Sequence, residues 1–177
     1  MAEKQYNAYP QQPQYGQNHH QPGAGNMQMQ PTIGMQPHGG NRNAKNVPMN
    51  QKGEREWSNG LCGCCGDCGT CCVSCFFPCV VYGQNKTRRE HLEQQGYPHP
   101  SGGESCGSDC FLHGIITSCF GLGWIFQIGE RGATRRRYAI EGGGCGDCCT
   151  VWCCNPCALT QESREIQLEE ESMIPRH

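Results

Sequence analysis

Cysteine is the residue that most constrains this chain. All 17 cysteines lie between Cys62 and Cys157, in a sequence of 177 residues. That density excludes an ordinary enzyme core, in which thiols are few and scattered. Apolar residues make up only 36% of the chain, even with cysteine counted among them. A large hydrophobic core is therefore not expected, and the cysteine region needs a further source of stability.

The expected compartment follows from the N-terminus and the cysteine count. The chain begins MAEKQYNAYP, without the apolar segment of a signal peptide. We therefore expect an intracellular protein, not a secreted one, in a reducing compartment where disulfides rarely persist. An odd number of cysteines also fits a closed disulfide framework poorly. These observations favour thiolates that bind metal ions over a disulfide scaffold.

Three segments of the chain differ in composition. Residues 1–55 are rich in Gln, Pro, Asn, Gly and Met, and they cannot bury enough apolar surface to offset chain entropy. We predict a disordered tail over residues 1–55, a cysteine-rich domain over residues 56–160 and an acidic helical extension over residues 161–177. The predicted fold class is mainly α: a small cysteine-rich helical domain, stabilised by metal or thiols, behind the disordered N-terminal tail.

The cysteines recur at helical spacing in two clusters. Steps of three and four residues in the first cluster, and of four in the second, place thiols along one face of a helix. Two such faces turned toward each other would form tetrahedral sulfur sites for Zn²⁺ or Cd²⁺, because thiolates prefer soft ions. The predicted metal ligands are Cys65, Cys68, Cys71, Cys72, Cys75, Cys79, Cys145, Cys148, Cys149, Cys153, Cys154 and Cys157.

Two other interpretations of the cysteines remain open. Free cysteines often pack in protein interiors as small hydrophobic residues. Alternatively, some are S-acylated, since Cys71, Cys72, Cys75 and Cys79 adjoin the apolar pair Phe76–Phe77.

Enzymatic activity and nucleic-acid binding are not expected. The sequence contains no Ser/His/Asp arrangement and no phosphate-cradling glycine loop. The formal net charge of -2 and the pI near 6.4 argue against nucleic acid as a partner. The Arg135–Arg137 triplet could contact phosphates, but no finger-like Cys/His spacing accompanies it.

Two apolar runs suggest contact with a membrane. Residues 111–128 form an 18-residue run, close to the length that a bilayer needs, but His113 and Gln127 make it a poor spanning helix. Residues 71–82 form a 12-residue run, which is too short unless it is re-entrant. We favour membrane association, with a buried core helix as the alternative and with the cytoplasm and nucleus as other locations.

Two motifs carry a resemblance to a known family. The stretch CCVSCFFPCVVYGQN, residues 71–85, resembles the CCxxxxCPC signature of the PLAC8 family of cysteine-rich proteins. The stretch RRRYAIEGGGCGDCCTVWCCNPCALTQESREI, residues 135–166, resembles the second half of that family. The chain departs from the signature at one position, because Phe77 precedes Pro78 and Cys79 where the family has Cys-Pro-Cys.

The resemblance implies a role in heavy-metal tolerance. Plant relatives are linked to cadmium resistance and zinc transport, and others to the control of cell number. The Gln- and Pro-rich tail looks like that of a fungal member. By position, the signature role would fall on Cys71, Cys72, Pro78 and Cys79. We expect a non-enzymatic protein that acts through cysteine–metal contacts, by sequestration or by membrane-linked export.

A different class of function remains as an alternative. In that hypothesis the protein is an adaptor whose cysteines are structural and whose effect on stress tolerance or growth is indirect, through protein partners. Zn²⁺ or Cd²⁺ bound by thiolates is the expected cofactor, with an open stoichiometry. The partners considered are a second copy of the chain, a membrane and other proteins.

Overall fold

The computed structural model describes residues 39 to 174. Within them the fold is mainly α, as predicted, and the β structure in this part is limited to two isolated bridges at Arg55. Most of the predicted disordered tail, residues 1–38, lies outside the described residues. A 3₁₀ helix, Leu61–Asp67, precedes six α-helices: α1 (Cys68–Phe76), α2 (Pro78–Gln95), α3 (Ser108–Phe120), α4 (Gly123–Tyr138), α5 (Gly144–Cys153) and α6 (Asn155–Ser172).

The helices are arranged as three consecutive pairs, α1–α2, α3–α4 and α5–α6, which we call the three hairpins. The first and third bends are built alike, with a single residue between the helices and a proline in the first turn of the second helix, Pro78 or Pro156. Proline suits that position because its missing N–H would be unpaired there in any case. The second bend uses Gly121 in the left-handed conformation, with φ of 66°.

Helix α6 is the central element of the fold. It contacts the 3₁₀ helix and α1, α2, α4 and α5. Its buried face carries the acidic residues Glu162, Glu165 and Glu169, of which each side chain is at most 1% exposed. The helix expected from the acidic C-terminal sequence is thus present, but three of its carboxylates lie in the interior instead of facing solvent.

Each of these carboxylates contacts an arginine, which is Arg55 before the cysteine region or Arg131 or Arg137 on α4. Arg55 Nη2 donates to Glu165 Oε1 at 2.6 Å, and the backbone N–H of Ser58 donates to Glu165 Oε2 at 3.1 Å. Burial of a charge is tolerated only with such partners, because an unpaired ion in the interior loses its hydration without compensation. The ion pair therefore fixes the segment before the cysteine region against α6.

A second pair anchors α4 to α6 near the C-terminus of both helices. Arg137 Nη2 and Nε donate to the two oxygens of Glu169 at 2.7 and 2.9 Å, and the Tyr138 hydroxyl donates to the same carboxylate at 2.8 Å. Tyr138 also packs in the larger apolar cluster, which it forms with Leu92, Ile140 and Ile166. Apolar and ionic contacts thus share one small interior.

The Arg135–Arg137 triplet belongs to this interior. Arg135 binds both oxygens of Asp147 on α5, with Nη2 at 2.6 Å from Oδ2. Because Arg137 binds Glu169, only Arg136 of the three is exposed. The triplet therefore serves the fold and does not present a cationic patch for phosphates.

Proline and glycine decide where helices α2 and α3 begin or end. Helix α2 begins at Pro78, and Asn85 within it is a buried residue that donates to the Leu159 carbonyl at 2.9 Å. The apolar run 111–128 is not one helix, because Gly121 ends α3 and reverses the chain before α4 begins.

Residues 39–55, which we assigned to the tail, pack against α6. The backbone N–H of Asn41 donates to Ser172 Oγ at 2.7 Å. Gly40 approaches the helix so closely that a Cβ atom there would lie 2.5 Å from the Glu169 backbone oxygen. The part of the chain that packs against α6 therefore begins before residue 56, the predicted start of the domain.

The Arg55–Glu165 pair makes a testable prediction. We expect Arg55→Ala to lower the free energy of unfolding by about 3 kcal/mol, because Glu165 would be left charged and unpaired in the interior. The exposed Lys52→Ala is the matched control, with an expected change near zero. Urea unfolding followed by helical circular dichroism measures both, and equal stability of the two variants would contradict the assignment.

Glu162 predicts a pH dependence of stability. Burial, with Arg131 opposing it, raises the pKa of this carboxyl from 4.5 to about 8. The folded state therefore binds the proton more tightly than the unfolded state. This contribution is complete below pH 4.5 and declines by about 1.4 kcal/mol per pH unit until the pH reaches the folded pKa. In thermal melts at several pH values, Glu162→Gln should reduce the loss of stability with rising pH. The control Glu104→Gln, at an exposed position, should show the same loss as the parent protein.

Candidate functional site

The cysteines are mostly at the surface. Cys110 is the one buried member of the 15 free cysteines in the described residues. The interpretation of these residues as core packing therefore applies to Cys110 and not to the predicted ligands. Among those ligands, Cys71, Cys79 and Cys148 are half-buried, and the exposed free thiols are Cys65, Cys68, Cys72, Cys75, Cys145, Cys149 and Cys153.

The first cluster brings thiols of the 3₁₀ helix and α1 together. Burial, followed by the neighbouring thiols of Cys64 and Cys75, raises the pKa of Cys71 to about 11. The thiol of Cys64, and to a smaller extent that of Cys68, also raises the pKa of Cys65. These thiols are protonated at neutral pH, so a metal ion that binds them must displace protons.

The second cluster forms a stripe on the exposed side of α5. Its cysteines at four-residue steps interact, since Cys145 is the main cause that raises the pKa of Cys149. Cys153 follows at the end of the helix, and Cys154 and Cys157 beyond it are joined as a disulfide. That bond was not expected, and its two sulfurs are not thiolates in this state.

The two clusters do not face each other, contrary to the prediction. Helix α1 contacts α2, α6 and the 3₁₀ helix, whereas α5 contacts α4 and α6, so the two cysteine-bearing helices do not pack against each other. Among residues 39–174, the structure also holds no group of three or more Cys, His, Asp or Glu side chains placed to bind one metal ion. Sulfur ligation of Zn²⁺ or Cd²⁺ stays a prediction.

A third group of thiols was missed by the sequence analysis. Cys110 on α3 lies close to Cys79 on α2 and to Cys106, and burial followed by these two thiols raises its pKa to about 11. The close approach of the helices depends on Gly83, where a Cβ atom would lie 3.1 Å from that of Cys110. The four-residue spacing of Cys106 and Cys110 was the available signal, but contact with Cys79 requires the fold.

The bends of the three hairpins lie side by side. Ser74 Oγ, near the first bend, donates to the Pro156 carbonyl at the third bend at 3.2 Å. Gln127 of α4 donates to the Asn155 carbonyl at 3.5 Å, which joins the second hairpin to the third. The first and second hairpins also touch, since a Cβ atom on Gly114 would lie 3.7 Å from Cys79 Sγ. The bends therefore occupy one side of the described part.

Large apolar side chains are exposed on this side. Phe76 and Trp152 are each 76% exposed, Phe120 is 68% exposed and Phe77, the residue of the signature mismatch, is 62% exposed. We call the following residues the apolar surface: Val73, Phe76, Phe77, Phe111, Leu112, Ile115, Phe120, Leu122, Ile125, Phe126 and Trp152. A patch of this kind marks an interaction site, because such side chains are unfavourable in water.

The hairpin segments around the bends are free of formal charge. No Asp, Glu, Lys or Arg occurs in residues 68–85, 110–129 or 148–161. Among the described residues no single helix has the length and apolar character to cross a bilayer. One bent pair, Leu61–Phe76 with Pro78–Gln95, meets that test jointly, with an angle of 117° between the helices.

Comparison with known proteins identifies the cysteine region. Residues 57–165 match the PLAC8 family. Protein PLANT CADMIUM RESISTANCE 1 of Arabidopsis thaliana is 38% identical over 115 residues, which cover 63% of this chain and 68% of that protein. Protein PLANT CADMIUM RESISTANCE 2 of the same plant is 34% identical over 114 residues, which cover 64% of this chain and 68% of that protein.

A relative from maize carries a different name. Cell number regulator 9 of Zea mays is 30% identical over 112 residues, which cover 63% of this chain and 58% of that protein. The aligned part thus spans less than two thirds of this relative. No solved structure matches the chain. With the match to residues 57–165 covering most of the described fold, the chain belongs to the PLAC8 family.

Proposed function

We propose that this protein confers tolerance to cadmium from the surface of a membrane, through metal contacts of its exposed thiols. The observation that carries the proposal is the arrangement of three uncharged bends on one side, with free thiols beside exposed aromatic residues. Two relatives named for plant cadmium resistance support the choice of metal.

The apolar surface supports contact with a bilayer. Helical hairpins can enter the outer part of a bilayer because their backbone groups are already hydrogen-bonded within the helices. Transfer of each large apolar side chain out of water contributes about 1.5–3 kcal/mol when the burial is complete. Trp152 suits the boundary between headgroups and acyl chains, where tryptophan is enriched.

The thiol clusters support contact with a soft metal ion. Thiolate ligands favour Cd²⁺ and Zn²⁺ over hard cations. Pairs of neighbouring thiols, such as Cys64 with Cys71, can bind the metal ion first. Further ligands then come from rearrangement of the 3₁₀ helix or from a second copy of the chain. The protonated state of these thiols means that binding releases protons and weakens in acid.

The ion pairs of the interior favour a functional role for the cysteines over a structural one. Arg55 and two residues of α4, Arg131 and Arg137, join two segments to α6 through carboxylates, without a cysteine in any of these contacts. The fold therefore has a source of cohesion other than metal. This counts against an adaptor in which zinc holds the domain together and the thiols have no further role.

The thiol contribution can be tested in cadmium-sensitive yeast. We expect the variant Cys65→Ser, Cys68→Ser, Cys71→Ser and Cys72→Ser to lose tolerance, because it lacks four of the predicted thiol ligands of the first cluster. The control, Cys62→Ser with Cys106→Ser, replaces cysteines outside the predicted ligand set and should stay tolerant. Growth on cadmium at matched protein levels is the measurement, and a tolerant, folded four-site variant would refute the thiol mechanism.

Cellular cadmium in the same strains separates the two mechanisms. Lower cadmium per cell in the tolerant strain, relative to cells without the protein, indicates export. Equal or higher cadmium indicates sequestration, provided that the purified reduced protein shows ultraviolet thiolate–metal absorption. Tolerance without any such absorption would instead support the adaptor.

Membrane contact makes a separate prediction. The variant Phe76→Ser, Phe120→Ser and Trp152→Ser removes one exposed aromatic residue from each hairpin. Each loss should weaken partition into phosphatidylcholine vesicles by about tenfold. The control Tyr97→Ser with Ile174→Ser replaces exposed apolar residues outside the apolar surface and should float like the parent protein. Equal flotation of both variants would exclude the apolar surface as the contact.

A further inference from the structure

We propose that Cys75, Cys119 and Cys153 are S-acylated, so that each hairpin carries one long-chain acyl group in thioester linkage. This inference rests on the proposed membrane contact and adds a covalent component to it. The three residues come from α1, α3 and α5, the first helix of each hairpin.

The same local arrangement occurs at all three bends. Cys75 precedes Phe76 and Phe77, Cys119 precedes Phe120, and Cys153 follows Trp152. All three thiols are free and exposed, and each neighbouring aromatic residue is more than 60% exposed. Each thiol therefore lies next to the side chains that would enter the lipid.

Position along the helices distinguishes these cysteines from the others. Cys75 and Cys153 are the last free thiols of their clusters before the bend, and Cys119 lies one residue from the end of α3. Cys154 and Cys157 are joined as a disulfide, and Cys110 is buried. Cys62 and Cys145 are exposed but have no aromatic neighbour in the chain, so they serve as comparison sites.

The reaction needs a fatty acyl-CoA as the acyl donor. The cysteine Sγ attacks the acyl carbonyl carbon, a new C–S bond forms, and the thioester bond to coenzyme A breaks. Coenzyme A leaves as a thiol after taking up the proton that the cysteine gives up, so no oxidant or reductant is required. The uncharged segments around each bend allow the acyl chain to enter the lipid beside the exposed aromatic residues.

Three acyl groups would change the mode of attachment. Each buried methylene contributes about 0.8 kcal/mol, and a single acyl chain gives only reversible binding, whereas two or more give stable anchoring. The apolar surface alone supports reversible contact with the headgroup region. Acylation of all three hairpins would therefore hold the bends in the membrane and keep the thiols of the first cluster beside it.

Acylation also divides the cysteines by chemistry. A thioester sulfur carries no negative charge and is a poor metal ligand, because the thiolate is the ligand form. Cys75 and Cys153 would then leave the predicted ligand set, and the first cluster would bind metal through Cys65, Cys68, Cys71 and Cys72. The tolerance experiment above uses these four residues for that reason.

Acyl exchange on the full chain tests the proposal. Free thiols of the protein in yeast membranes are blocked, thioesters are cleaved with hydroxylamine, and the released thiols are coupled to a maleimide tag that retards the protein in a gel. We expect three tags in the parent chain and in Cys62→Ser with Cys145→Ser. The variant Cys75→Ser, Cys119→Ser and Cys153→Ser should carry none. Unchanged tagging of this variant, or no hydroxylamine-dependent tag in the parent chain, would overturn the proposal.

Two further measurements separate this proposal from the membrane contact itself. The helical circular dichroism of the three-site variant should match that of the parent chain, since all three positions are exposed and serine is close to cysteine in size. Unacylated protein made in bacteria should still float with vesicles through the apolar surface. Flotation without tags in yeast would reject acylation but keep the membrane contact, whereas tags without flotation would support acylation alone.

Discussion

The buried ion pairs between arginines and the carboxylates of α6 are the interaction on which the other contacts depend. Arg55, from the segment before the cysteine region, pairs with Glu165, and Arg137, from α4, pairs with Glu169. The loss of one partner would leave a charge in the interior, which costs far more than the pair contributes by itself. A domain with two small apolar clusters thereby acquires a specific arrangement of its helices.

Because ion pairs hold the helices together, large apolar side chains lie at the surface and not in the interior. In most small domains the aromatic residues fill the core, whereas here Phe76, Phe120 and Trp152 lie outside and arginine–glutamate pairs lie inside. The exposed aromatic residues and the uncharged bends are the features on which the proposed membrane contact rests. The carboxylates of α6 instead hold the helices together in the interior.

Helical content could be predicted from the sequence, because it follows from local spacing and composition, whereas the exposure of the thiols required the fold. The C-terminal helix was also expected, over residues 161–177, and α6 covers Asn155–Ser172. The location of its acids was not, since Glu165 resembles a solvated residue until Arg55, 110 positions earlier, is placed beside it. The prediction that the two cysteine clusters face each other failed for the same reason, because periodicity describes each helix but not that α1 and α5 contact α6 and not each other.

The contacts of residues 39–55 have a consequence for the smallest unit that can fold. The family match covers residues 57–165, yet Arg55 lies before that range, and Glu169, the partner of Arg137 and Tyr138, lies after it. A fragment cut at the family limits would keep Glu165 and Arg137 in the interior and discard the partner of each. Sequence similarity therefore delimits what relatives share, whereas independent stability extends over a longer stretch of chain, from Gly40 to Ser172.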